Sequence, residues 1–322
     1  MKRRIPLAFK KPKRLNIFLL IAVILCLVPE LGVGTYVLRI LILSLVFLIA
    51  TMAWCLISGY TGQINLAPTM FFGLGAYSSA LVARHLGLSP WLGLLIGPLL
   101  ASSFALVIGF PLFRLHGAYF ALATLAVGEI LYYVMVNEVW FSGGTVGLQV
   151  PFSPKILFID FNNIYFQYYF ILVLAFLSTY ILYRIAMSRL GYYFMAIRDD
   201  EDTAMSMGIN VFKYKEVAFC VSGFFTGLAG AFYSNFLLYV EPSLAFGITP
   251  ALTVVIMGIL GGADTILGAW ISAPLLTFIM EGLRLVFGAA GAYDLFTLGV
   301  LIILIILLLP RGLIRLVTAA KI

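Results

Sequence analysis

The sequence predicts an all-α, polytopic membrane protein, and three observations carry that reading. Hydrophobic residues make up 63% of the chain and charged residues 10%, where an ordinary soluble domain carries about 25% charged residues. The apolar residues come in runs near the ~20 that a helix needs to cross a bilayer. The Lys and Arg residues gather on alternate connections between those runs. A chain of 322 residues with this composition cannot hide its apolar surface in a water-soluble globule. A transmembrane barrel would show short alternating segments in place of long apolar runs.

Hydropathy divides the chain into about ten spans within one transmembrane domain, 1–322, at roughly 15–33, 36–58, 66–84, 90–112, 117–137, 165–187, 214–239, 246–261, 264–287 and 293–310. The first follows a basic stretch, 1–14, and resembles a signal peptide. It ends at Pro29-Glu30 without a small-residue cleavage site, so it reads as a first transmembrane helix. The third span is interrupted by Gly73 and Gly75, and the eighth is short and bounded by glycines, which suits a tilted or re-entrant element. Cys26, Cys55 and Cys220 all fall in apolar segments and read as small packing residues without a disulfide framework.

With the N-terminus placed in the cytoplasm, all of the 20 Lys and Arg residues except Arg39, Arg84, Lys155 and Arg284 fall inside. The opposite orientation reverses that excess, so the positive-inside rule fixes both termini and the loop 188–213 as cytoplasmic. The longest external loop is then about 137–164. Two halves of five spans each must have inverted topologies, as in many transporters, and the Gly-rich stretches Gly59–Tyr77 and Gly258–Trp270 are candidates for matching positions.

The most charged stretch is Ser188–Glu216, SRLGYYFMAIRDDEDTAMSMGINVFKYKE. Within it Met195–Met207 reads as one short amphipathic helix. Ala196, Ile197, Ala204, Met205 and Met207 form its apolar side, Asp199, Asp200, Glu201 and Asp202 cluster near a first turn, and Gly208 ends it. A loop helix has little core to pack against, so its apolar side needs lipid or a partner.

Two further stretches carry polar marks inside apolar surroundings. In Ser58–Tyr77 the glycines permit close backbone approach, Pro68 fits a helix start, and Gln63 and Asn65 can satisfy backbone groups freed at a helix break. The stretch reads either as a structural connection or as a broken element bordering a permeation path. In Leu115–Asn137 the small residues Gly117, Ala118, Ala121, Ala123, Ala126 and Gly128 give the helix a small-residue side, with Thr124 and Glu129 as candidate path residues. Glu281 and Arg284, three apart on one helix, suit a local ion pair. His85 and His116 fall at opposite membrane faces and cannot share a metal. No Gly-Lys dipeptide and no His-Glu-x-x-His occur, so neither a phosphate-binding loop of an ATPase nor a zinc protease site is encoded, and no catalytic residues, metal site or cofactor are expected.

Five stretches in order carry a resemblance. They are SGYTGQINLAPTMFFGLGAY, then HGAYFALATLAVGEI with SGGTVGL downstream, then AIRDDEDTAMSMGINVFKYKEVAF, then GFFTGLAGAFY at Gly223–Tyr233 and GILGGADTILGAW at Gly258–Trp270. Together these resemble the LivM-type permease subunits of ABC importers for branched-chain amino acids, over about Thr35–Pro310. The resemblance implies the type II importer fold. It also implies a heterodimer with a LivH-type second permease, two cytoplasmic ATPase subunits that hydrolyse the ATP, and an extracytoplasmic solute-binding protein, all at a bacterial inner membrane. It implies that Ala196, Ile197, Arg198, Asp199, Asp200, Glu201, Ala204, Met207 and Gly208 form the loop that couples to the ATPases. A permease for urea or short-chain amides is an alternative within the class. A self-sufficient ion-coupled carrier or channel is an alternative outside it, for which Glu129 and Glu281 are the sparse embedded charges.

Overall fold

The computed structural model describes residues 25–26, 29–86, 90–151, 163–287, 299–300 and 313. Most of the first and tenth predicted spans, the basic segment 1–14 and part of the loop 137–164 lie outside these residues. Among the described residues seven helical segments are long and apolar enough to cross a membrane: Thr35–Tyr60, Leu92–Leu112, Ala118–Asn137, Ile164–Ala186, Val211–Leu237, Pro242–Gly261 and Ile266–Leu285. The chain is an all-α multi-pass membrane protein.

In chain order the helices are α1 (Thr35–Trp54), α2 (Thr69–Leu86), α3 (Pro90–Leu112), α4 (Ala118–Asn137), α5 (Ile164–Ala186), α6 (Arg189–Asp199), α7 (Glu201–Ser206), α8 (Val211–Leu237), α9 (Ile248–Gly261) and α10 (Ala269–Phe287). The predicted third span corresponds to α2. It is a membrane-length helix that is not among the seven, and α3 and α8 pack against it. Predicted span eight, 246–261, corresponds to α9, and a separate short helix at Pro242–Ala245 precedes it.

Helices α1 and α8 are the centre of the bundle. From Leu45 to Trp54 only Phe47 of α1 is not fully buried, and a helix apolar on all sides belongs in an interior. The two touch each other, and each then packs mainly on the other's side of the chain. Helix α8 lies on α2 and α3, while α1 lies on α5, α9 and α10. Small residues allow the first of these contacts. A Cβ on Gly230 would overlap the Phe72 carbonyl, and one on Gly75 would overlap the Gly227 carbonyl. Gly97 of α3 closes on Ala231 and on the Gly75 backbone. Backbone approach of this kind is how helices gain contact in lipid, where apolar burial alone supplies no drive between them. Aromatic rings fill around it, with Phe71 edge-on to Phe219 at 4.9 Å and Phe72 tilted against Tyr233 at 5.2 Å.

The connections sort to two ends. At one end Gly59 abuts the Ala263 carbonyl, Gly62 lies under Arg198, and Gly109 faces the Glu216 carboxylate. The first of these contacts makes the two Gly-rich stretches, Gly59–Tyr77 and Gly258–Trp270, spatial neighbours. At the other end β1 (Leu148–Gln149) pairs antiparallel with β2 (Tyr239–Val240), with Leu148 opposite Val240. Tyr239 donates from its hydroxyl to the Val146 carbonyl there.

Candidate functional site

The charged loop is built from three capped helix starts. Ser188 Oγ accepts from the Leu190 amide at 3.2 Å, Asp200 Oδ1 from the Thr203 amide at 2.6 Å, and Asn210 Oδ1 from the Lys213 amide at 3.0 Å. Each side chain satisfies a donor that a helix N-terminus leaves unpaired. The hydrogen bond from the Thr203 amide also holds the exposed Asp200 carboxyl below its ordinary pKa. The single helix expected over Met195–Met207 is therefore two helices. Asp200, in extended backbone, ends α6 and caps α7. The acids Glu201 and Asp202 do occupy a first turn, but that of α7.

The expectation that the apolar side of this loop is left open also needs correction. Ile197, Ala204 and Val211 are buried against one another, with Ala196, Ile209 and Tyr214 packed around them, so the loop carries its own small core. The outward apolar surface is Met205 and Met207, 53% and 79% exposed. Gly208 has φ +83° in open space, the left-handed stop that an L side chain adopts at a cost.

Two of the predicted loop residues point into the protein. Arg198 Nη1 donates to the Gly59 carbonyl at 2.8 Å. Glu201 Oε1 receives the Lys215 ammonium at 2.6 Å and the Gln63 Nε2 at 2.9 Å. Lys215 is 1% exposed, and an ammonium taken out of water this far requires the partner it has.

Gln63 lies in the non-helical stretch, from Thr61 onward, that follows α1. Beyond Trp54, α1 continues as a π-helix over Cys55–Tyr60, a local expansion often found where a helix is functionally interrupted. The chain then runs without regular structure to the start of α2. Asn65 organises it. Its carbonyl accepts the Trp54 indole N–H at 2.7 Å, its amide donates to Ser58 Oγ at 3.1 Å, and its Oδ1 accepts from the Ala67 amide at 3.0 Å. The Leu66 amide donates to Thr124 Oγ1 at 3.2 Å, which fastens the stretch to α4. A Cβ on Gly128 would press on Ala67 one turn further along α4.

The four expected path residues thus separate. Gln63, Asn65 and Thr124 are buried and belong to one polar network that holds the broken segment. Glu129 lies apart, half-buried in a shallow surface groove with Ile130, Tyr133, Asn137 and Glu138. Lys215, Trp54 and Ser58 complete the site and were not anticipated. Lys215 was legible in principle, because it falls on the buried stripe of α8 that runs Val211, Lys215, Ala218, Phe219, Ser222. The Arg284–Glu281 pair forms at 2.8 Å, as the spacing predicts.

The described residues thus form a multi-pass membrane bundle with a capped polar loop fastened to a broken helix at one end. The profile of the family described as "Branched-chain amino acid transport system / permease component" matches residues 36–306, and the chain belongs to that family. It is 27% identical to the high-affinity branched-chain amino acid transport system permease protein LivM of Escherichia coli (strain K12), across 92% of this chain and 74% of that protein. It is also 27% identical to LivM of Salmonella typhimurium, across 84% of this chain and 68% of that protein. A shorter similarity, 31% identity over 39% of this chain and 40% of the relative, links it to the ribose import permease protein RbsC of Escherichia coli (strain K12). No solved structure matches the chain.

Proposed function

We propose that this chain is the membrane-spanning permease subunit of an ABC importer and translocates leucine, isoleucine and valine across a bacterial inner membrane. The observation that carries the reading is the match to the permease family over 36–306 together with the two LivM relatives. ATP is hydrolysed on two separate cytoplasmic subunits, a LivH-type permease completes the pore, and a solute-binding protein delivers substrate from outside. The loop 188–213 is the docking element for an ATPase, with Met205, Met207 and the exposed acids as its outward face. Arg198, Ile197 and Ala204 set its shape from behind.

The same reading takes the protein as ten spans in two inverted halves. The reciprocal packing of the central helices supports it: α8 seated on α2 and α3, and α1 on α9 and α10, are the exchange expected when two similar units interlock. The end that gathers Gly59, Arg198, Glu201 and Ala263 is then cytoplasmic, and the β1–β2 end is external. Thr203→Cys is expected to react with an impermeant maleimide only after the membrane is opened, and Asn163→Cys in intact spheroplasts. The reverse accessibility would invert this assignment.

Transport itself is tested in proteoliposomes holding the permease pair, both ATPases and the loaded binding protein. Radiolabelled leucine is expected to accumulate with ATP and to stay at background when either ATPase is omitted. Accumulation without the ATPases would make the protein a self-sufficient carrier. ATP-dependent uptake of ribose, a nucleoside or urea with none of leucine would keep the class and replace the substrate.

A further inference from the structure

Glu201 bridges a long regular helix and an irregular segment, and this suggests what it does. On one side is Lys215, the second turn of the long buried helix α8. On the other is Gln63, in the non-helical stretch after the π-turn of α1. Both bond the same carboxylate oxygen, at 2.6 Å and 2.9 Å. Glu201 is the first residue of α7, directly after its cap, so any displacement of α7 carries the carboxylate with it. Helix α8 is held by close packing against α2 and α3 and resists displacement. The stretch 61–67 lacks regular structure and holds one positive-φ glycine, Gly62, seated beneath Arg198, and short irregular segments are where backbone changes are absorbed. From Gln63 the chain is tied onward through Leu66 to Thr124 and through Ala67 to Gly128 on α4.

We propose that the Gln63–Glu201–Lys215 clamp is the contact through which movement of the ATPase-docking loop displaces the broken segment 61–67 and, with it, helix α4. Gln63 and Lys215 are positioning residues for transport: they touch neither solute nor nucleotide. The proposal rests on the permease reading above, and its test includes a readout independent of the transported solute.

The experiment uses the full reconstituted complex with Gln63→Leu, Glu201→Lys, Lys215→Glu and the double exchange Glu201→Lys/Lys215→Glu. Gln63→Leu keeps the volume and removes the hydrogen bond. It is expected to lower solute moved per ATP by about tenfold or more, the loss of one positioned contact to a charge being worth about 1.5–3 kcal/mol. Each single charge reversal is expected to do at least as much. The double exchange should regain transport per ATP to within about threefold of wild type. The Gln63 amide can turn and offer its oxygen to an ammonium at position 201, as it now offers its nitrogen to the carboxylate. In parallel, a cysteine at the exposed Leu122 of α4 is introduced with Cys26 and Cys220 replaced by serine. Its labelling rate is expected to change on ATP–vanadate trapping in wild type and not in Gln63→Leu, although the trapped ATPases form in both. A purely structural clamp would instead lower the yield of complex and leave transport per ATP and the labelling change intact. That result overturns the proposal, as does Gln63→Leu within twofold of wild type in both readouts. If the single reversals do not assemble, Gln63→Leu and the double exchange decide. A wild-type complex that moves no branched-chain amino acid sinks the substrate reading, while the labelling readout still answers for the clamp.

Discussion

Gly230→Leu is expected to leave no folded permease. In fluorescence-detected size exclusion the variant should lose its monodisperse peak, and Gly230→Ala should lower the thermal midpoint markedly. The cause is that the first atom of any side chain at Gly230 overlaps the Phe72 carbonyl. The obstacle is backbone, so no rotamer change relieves it, and α2 and α8 must part along their length. That separation also opens the Gly75–Gly227 and Gly97–Ala231 contacts. Overpacking a well-filled core costs about 1–3 kcal/mol when side chains can adjust, occasionally more, and here the adjustment required is of whole helices. The same substitution at Gly282, where a Cβ would meet no atom within 4 Å, is the control and should be tolerated. A normal profile for Gly230→Leu would mean that α2 and α8 are not in backbone contact.

The second large effect belongs to Ala204→Trp. Ala204 is 4% exposed and fills the loop core with Ile197 and Val211. An indole there cannot be housed, so α7 swings off α6 and carries Met205 and Met207 away from the surface they form. The spans do not contribute to this small core beyond the first residues of α8, so insertion and pairing with the second permease are expected to persist. Co-purification of the ATPases should fall about tenfold or more, consistent with losing a centre of packed contact worth ~2 kcal/mol at an interface. Gly208→Val should act in the same direction through its positive φ. Gly208→Asp should be milder, since Asp enters the left-handed region more readily. Wild-type ATPase binding and hydrolysis in Ala204→Trp would reduce the loop to a solvated connector.

The class of fold was legible because it follows from composition, and the positions of the spans within the described residues because a bilayer sets one length scale for every helix. The interior of the loop was misread for a local reason. Periodicity across Met195–Met207 is nearly continuous, and the break rests on one side chain, Asp200, folding back to the Thr203 amide. The Asp-x-x-Thr spacing carried that signal, but four consecutive acids masked it. Gln63 and Asn65 stood out as polar groups at a helix break, and Thr124 as a polar mark on α4. Their partners were not legible: Glu201 is 138 positions from Gln63, and Leu66 finds Thr124 across 58. Pairings at such separations are fixed by how helices cross, which no single-helix pattern contains. The apolar exterior of α3 and α4, with Leu95, Val107, Tyr119 and Ile130 exposed, misleads in the opposite sense. A stripe analysis seeks a polar face, and here the outer face meets lipid or another subunit.

The exchange of partners between α1 and α8 has a consequence for the ribosome. Helix α1 leaves the exit tunnel early, yet Thr51 bonds to Met257 and α1 rests on α9 and α10. At about 5–20 residues per second, roughly 10–40 seconds of synthesis separate the arrival of α1 in the bilayer from that of its last neighbours. During that interval a helix shaped for a protein interior is surrounded by lipid, with the Thr51 hydroxyl still waiting for its partner. A nascent chain in this state is a ready client for membrane insertases and proteases. The cellular yield of the protein is therefore expected to respond to elongation rate, in a way that the stability of the finished bundle does not foretell.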